Sequence, residues 1–195
     1  FAILLSSTFC TIFSYLIIIY YFQGKKRDQL NEIKDSFFKE CQKILSFNLN
    51  EDSYHLLLAN SAFKLTTYVR QKQVFAFHIP PFHFLEDKML KISFLLHLRD
   101  ILTFQEILMF SSIDEHIKLI MQIPTDLSTH ISLANAYIAL SKIYKPSVDD
   151  LSKESFPYKY IFKKNELQKK FNKATKRGVE ELKILDNLAP NDPWV

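Results

Sequence analysis

The sequence predicts an all-α protein, with an N-terminal transmembrane helix followed by antiparallel helical hairpins. Three observations predict it. The first 22 of the 195 residues carry no formal charge. Beyond them, apolar residues recur at intervals of three or four, the period of one helix face. Only two glycines occur, Gly24 and Gly178. That scarcity excludes glycine-rich loops that wrap phosphates, dinucleotide-binding folds and turn-rich β architectures.

The opening run, Phe1 to Phe22, would reach roughly 33 Å as a helix, enough to cross a bilayer core. Tyr20, Tyr21 and Phe22 stand where aromatic rings favour the lipid–water interface, and Lys25, Lys26 and Arg27 flank the membrane directly after them. The positive-inside rule holds such a cluster in the cytoplasm, so a single-pass membrane protein with a cytoplasmic C-terminal domain is expected. A cleaved signal peptide would be shorter, begin with basic residues and end in small ones, whereas this run ends in bulky aromatics. Cys10 falls inside the expected span and Cys41 beyond it, so no intramolecular disulfide is expected. The expected organisation is an anchor over residues 1–23, a juxtamembrane helix over 24–50 and a helical domain over 51–195.

From Asp28 to Phe47, the residues Leu30, Ile33, Phe37, Cys41 and Ile44 form an apolar stripe that continues the anchor as an amphipathic helix. Asn48 to Asn50 mark its stop, and Asp52 or Ser53 caps the next helix. That helix covers Tyr54 to Phe77 and closes at Pro80 and Pro81. A third stretch runs from about Leu85 to about Leu98. Ser112 and Glu115 have capping-box spacing and predict a fresh start, after which Ile113, Ile117, Ile120 and Met121 line a face up to Pro124. Asp126 then caps Leu127–Tyr144, where Ala134 and Ala136 beside Leu133 and Tyr137 suit close helix pairing. Past Pro146 and Pro157, Asn165 to Leu188 carries Leu167, Phe171, Ala174, Gly178, Leu182 and Leu185 on one stripe and stops at Pro190.

Leu133-Ala134-Asn135-Ala136-Tyr137 resembles the first helix of a tetratricopeptide repeat, with Ala134 in the small position. Gly178, Leu182, Leu185 and Pro190 match the spacing of its second helix, with Leu185 where the family usually has Ala. The repeat normally takes about 34 residues, so the resemblance implies an insertion between the two halves and a last repeat incomplete at Val195. A second trace lies upstream. His55 to Leu65 aligns with His130 to Leu140 at a constant offset of 75, with five of eleven residues identical.

The resemblance implies a concave surface that binds segments of partner proteins. Its groove-facing positions would be Ile131, Asn135 and Ile138, with Asn60 equivalent to Asn135. Ile131 replaces the Lys of members that bind a terminal carboxylate, which favours an apolar groove. A separate feature is the segment from Lys153 to Arg177, with nine basic residues against two acids, a local charge of +7 in a chain of net +4. Lys169, Lys173 and Lys176 form one exposed basic face there, suited to anionic lipid as well as to plain solvation.

Chemistry-bearing constellations are sparse. The six histidines show no HExxH spacing, and the two glycines allow no nucleophile elbow. Asp114-Glu115 reads as a favourable acidic pair at a helix start. Neither a metal, a cofactor nor an enzyme activity is expected, and no nucleic-acid module is recognisable. The expected function is a membrane-anchored adaptor or scaffold that binds protein partners. The alternatives are a chaperone-like accessory of a secretion or translocation machine, or a structural subunit of a membrane complex. Abundant Phe, Ile, Lys, Tyr and Asn suggests an AT-rich, bacterial genome.

Overall fold

The uncharged run and the stripe behind it form one continuous helix, α1 (Ala2–Leu45), because neither proline nor a strained glycine interrupts them. The computed structural model describes residues 2–45, 51–72, 86–144 and 164–190. Among them are five helices and no strand: α1, then α2 (Glu51–Lys72), α3 (Glu86–Gln122), α4 (Leu127–Tyr144) and α5 (Lys164–Leu188). The chain divides into two units, the first ending at Phe37 and the second beginning at Phe38.

The first unit is the N-terminal part of α1. It contains a segment long and apolar enough to cross a membrane, and its Leu4, Phe9, Phe13, Leu16 and Ile17 are exposed. Two of its threonine hydroxyls bond inside the helix. Thr8 Oγ1 donates to the Leu4 carbonyl at 2.7 Å, and Thr11 Oγ1 donates to the Thr8 carbonyl at 2.8 Å. Such internal bonding is what an apolar solvent demands of a polar side chain. At the end of the aromatic cluster, Lys25 Nζ lies 4.7 Å from the Tyr21 ring centre.

In the second unit, α2 packs on α3, α3 on α4, and α4 on α5. The α3–α4 corner is made by Pro124 and Asp126. The Ile123 amide donates to the Leu119 carbonyl at 2.9 Å, closing α3. The Asp126 carboxylate accepts from the Ser128 and Thr129 amides, at 3.3 and 3.1 Å, and from the Thr129 hydroxyl. These are the orphan donors an N-cap satisfies. The core joins Leu98, Leu102, Met109 and Ile113 of α3 to Leu133, Ala136, Leu140, Ile143 and Tyr144 of α4 and Ala174 of α5.

Three expected boundaries are corrected: α2 begins at Glu51, so Asp52 and Ser53 lie in its first turn rather than before it, the third stretch does not end near Leu98, and the start expected at Ser112 is not there. No helix starts at Ser112, because α3 runs unbroken from Glu86 to Gln122. Between Leu98 and Ser112 there is no proline or glycine to stop it. Ser112 Oγ instead donates across the interface to the Ala59 carbonyl of α2, at 2.9 Å. Glu115 pairs with His55 of α2 at 2.5 Å and accepts from Lys118 at 2.6 Å. Asp114-Glu115 is therefore mid-helix, and Glu115 serves packing rather than a helix dipole. The expected features at Asn48 to Asn50, at Phe77, Pro80 and Pro81, and at Pro146 to Pro157 lie outside the described residues.

The pairs α2–α3 and α4–α5 repeat one set of contacts. Across α2 and α4 the offset of 75 brings Leu58 to Leu133 and Ala59 to Ala134, all buried. Across α3 and α5 an offset of 66 brings Leu108 to Ala174, Ser112 to Gly178, Glu115 to Glu181, Leu119 to Leu185 and Pro124 to Pro190. His55 meets Glu115 as His130 meets Glu181. Ser112 touches the Ala59 carbonyl, and a Cβ on Gly178 would sit 3.8 Å from the Ala134 carbonyl. Even the closing bonds correspond, since the Ala189 amide donates to Leu185 at 2.9 Å just as Ile123 does to Leu119.

The two second helices differ on one face. Leu102, Met109, Ile113 and Ile120 of α3 pack against α4. The offset of 66 replaces them on α5 by Gln168, Thr175, Val179 and Asp186, all exposed. That face of α5 is exposed and mostly polar.

Candidate functional site

Among the described residues a groove of about 580 Å³ with a mixed lining has α4 as its floor and α3 and α5 as its walls. Leu133, Tyr137, Leu140 and Tyr144 recur at three and four residues and so stand in one row along α4. The α3 wall supplies Glu106, Phe110, Ile113, Asp114 and Ile117, again on one helical stripe. The α5 wall supplies Lys170, Lys173, Ala174, Arg177 and Glu181. Phe110 and Ile117 leave 46% and 36% of their surface open, an unusual exposure for large apolar groups in the wall of a cleft.

Charges at the two ends of the floor are matched. Glu106 Oε1 accepts from Tyr144 Oη at 2.8 Å and from Lys170 Nζ at 2.7 Å. Lys170 Nζ also lies 5.5 Å from the Tyr144 ring centre. Burial, then the Glu106 charge and its hydrogen bond, push the Tyr144 phenol well above its ordinary range, so it stays a donor. At the other end His130 is held by Glu181, 2.8 Å from Nδ1, and by the Pro124 carbonyl, 3.0 Å from Nε2. Burial also raises the Tyr137 phenol, with Arg177 opposing and Glu181, Asp114 and Glu180 adding to the shift. No phenol or imidazole here is set beside a nucleophile. The arrangement is fit to hold an amphipathic ligand, with apolar surface below and charge at the rim.

Ile131, Asn135 and Ile138 are exposed on α4, but helix periodicity places them about opposite the floor residues, and none lines the groove. Asn60 is exposed on α2 and does not join them in the groove either. Of the basic face, Lys169, Lys173 and Lys176 are all exposed, and Lys173 alone of the three lines the groove. Lys25, Lys26 and Arg27 belong to the first unit and follow the aromatic cluster. Sequence reasoning missed Phe110, Ile117, Tyr137, Lys170 and Arg177 as a set. The signal was there in part: Phe110 and Ile117 are seven residues apart, two turns of the same face of α3. Cys41 is half-buried, and burial raises its thiol, which makes it a poor nucleophile. Among the described residues, no group of three His, Cys, Asp or Glu side chains is placed to hold a metal ion.

No family model matches the chain, and no curated protein or solved structure matches it.

Proposed function

We propose that the protein is a single-pass membrane adaptor whose helical body lies in the cytoplasm and receives a segment of a partner protein in the α3–α4–α5 groove. The observation that carries this reading is the groove itself, with exposed Phe110 and Ile117 on one wall and a row of cations on the other. The uncharged span in α1, with Lys25, Lys26 and Arg27 behind it, supports the anchor and its orientation. The contacts repeated between α2–α3 and α4–α5 support a two-unit helical-repeat body of tetratricopeptide-like design. The working surface in this reading is the α3–α4–α5 groove rather than the Ile131–Asn135–Ile138 face.

Co-purification from detergent-solubilised native membranes tests the assignment. Phe110→Asp with Ile117→Asp should release a partner that wild type retains, while Asn135→Leu with Ile138→Asp should keep it. The reverse pattern would return the site to the opposite face of α4, and equal retention by both would favour a permanent subunit role. Protease treatment of spheroplasts checks the topology, since a C-terminal tag should survive until the membrane is opened.

A further inference from the structure

The groove has two unlike walls. Phe110, Ile113 and Ile117 make the α3 wall apolar, while Lys170, Lys173 and Arg177 make the α5 wall basic. Between Lys164 and Gly178, α5 carries six basic residues and one acid, Glu166. Two acids of the lining are already matched, Glu106 by Tyr144 and Lys170, and Glu181 by His130. Lys173 has no hydrogen-bond or ion-pair partner among the described residues. Among the described residues Arg177 pairs only with Glu180, one turn along the same exposed surface, a contact of the kind that contributes little and exchanges readily. The third lining acid, Asp114, sits on the α3 wall and repels carboxylates from that side.

We propose that the groove takes an acidic, amphipathic helical segment of a partner protein. Its apolar ridge lies on Phe110 and Ile117, and its carboxylates run along Lys173 and Arg177. This rests on the adaptor reading above and specifies the partner's chemistry. Charge complementarity assigns the acids to the α5 side, and Asp114 fixes which way the segment is turned about its own axis. The spacing fits a helical peptide. Lys173 to Arg177 covers four residues, about one turn or roughly 6 Å of helix, which suits carboxylates on successive turns of a partner helix.

The test is peptide display against the full chain in detergent micelles, followed by titration of the enriched peptides. Enriched sequences should combine apolar residues at helical spacing with Asp or Glu. Lys173→Glu with Arg177→Glu should weaken them at least about tenfold. Lys169→Glu with Lys176→Glu, which leaves the groove lining unchanged, should shift them by less than about threefold, and circular dichroism should be unchanged for both variants. Asp114→Asn should bind equally or more tightly. Enriched peptides that depend on Phe110→Asp but carry no acids, or ignore Lys173→Glu with Arg177→Glu, overturn the acidic partner and leave the adaptor reading standing. Failure to enrich any peptide overturns both. Two further results also overturn the proposal: phosphatidylserine vesicles capturing the protein through Lys173 and Arg177 while peptides do not, or the charge reversal breaking a self-associated form seen by mass photometry.

Discussion

His130 of α4 holds Glu181 of α5 at 2.8 Å, and it is the counterpart, one hairpin later, of His55 holding Glu115 at 2.5 Å. Each imidazole lies on the first helix of its hairpin and each carboxylate on the second. The pairs are 60 and 51 residues apart along the chain, so only a shared packing scheme brings both together.

Removing one partner of a buried pair strands the other. His130→Ala leaves Glu181 without its ring and the Pro124 carbonyl without Nε2, so a loss of about 3 kcal/mol is expected. His55→Ala should cost less, about 1–2 kcal/mol, because Lys118 still holds Glu115. Urea unfolding of the detergent-solubilised chain followed by circular dichroism measures both, and equal losses would contradict the difference in surroundings.

Gly178 faces α4 closely but not too closely. A Cβ there would meet the Tyr137 Cβ at 3.4 Å, an ordinary contact. Gly178→Ala should therefore stabilise by up to about 1 kcal/mol through helix propensity. Gly178→Leu should destabilise by about 2 kcal/mol through overpacking against Tyr137 and Ile138. Thermal unfolding of the two variants should move in opposite directions.

His116 is buried, and its Nδ1 has no hydrogen-bond partner among the described residues. Burial holds its pKa below the ordinary 6.5, with the neighbouring Glu115 charge opposing. The unfolded chain thus takes up a proton near 6.5 that the folded chain refuses. Stability from this residue is complete above that pH and falls as pH drops toward the folded value. His116→Leu should flatten the decline in unfolding free energy between about pH 7 and pH 5, where a single group contributes at most about 1.4 kcal/mol per pH unit.

Charge placed in the N-terminal part of α1 should abolish membrane retention. Ile12→Lys and Phe13→Lys, at exposed positions near the middle of the apolar segment, should each cost about 3 kcal/mol of insertion. Carbonate extraction then moves the chain from pellet to supernatant, whereas wild type should stay in the pellet.

Helix type, the Asp126 cap and the extent of α4 were readable locally, because each depends on residues within one or two turns. The His55 to His130 correspondence was readable as well, since α2 and α4 keep a constant offset. The companion offset in α3 and α5 was not, because its members changed type: Ser112 became Gly178 and Leu108 became Ala174, trading size against helix separation. The continuity of α3 was obscured for a related reason. Ser112 and Glu115 have the residue types and spacing of a local cap, yet both are engaged by α2, a partner 53 and 60 residues away. The α3–α4–α5 groove was not legible because its walls come from α3 and α5, which the pattern of a single helix does not contain.

The polar face of α5 also bears on how copies of the chain could meet. A surface that mates with a different surface of its twin has no closed end, and copies joined that way grow into a filament. If Gln168, Thr175 and Asp186 were the Leu102, Met109 and Ile120 of α3, α5 would offer neighbouring molecules a ready landing strip for any helix like α4. Amide, hydroxyl and carboxylate groups at those three positions remove most of the drive for such growth. Copies of the protein thus gain little from joining through that face.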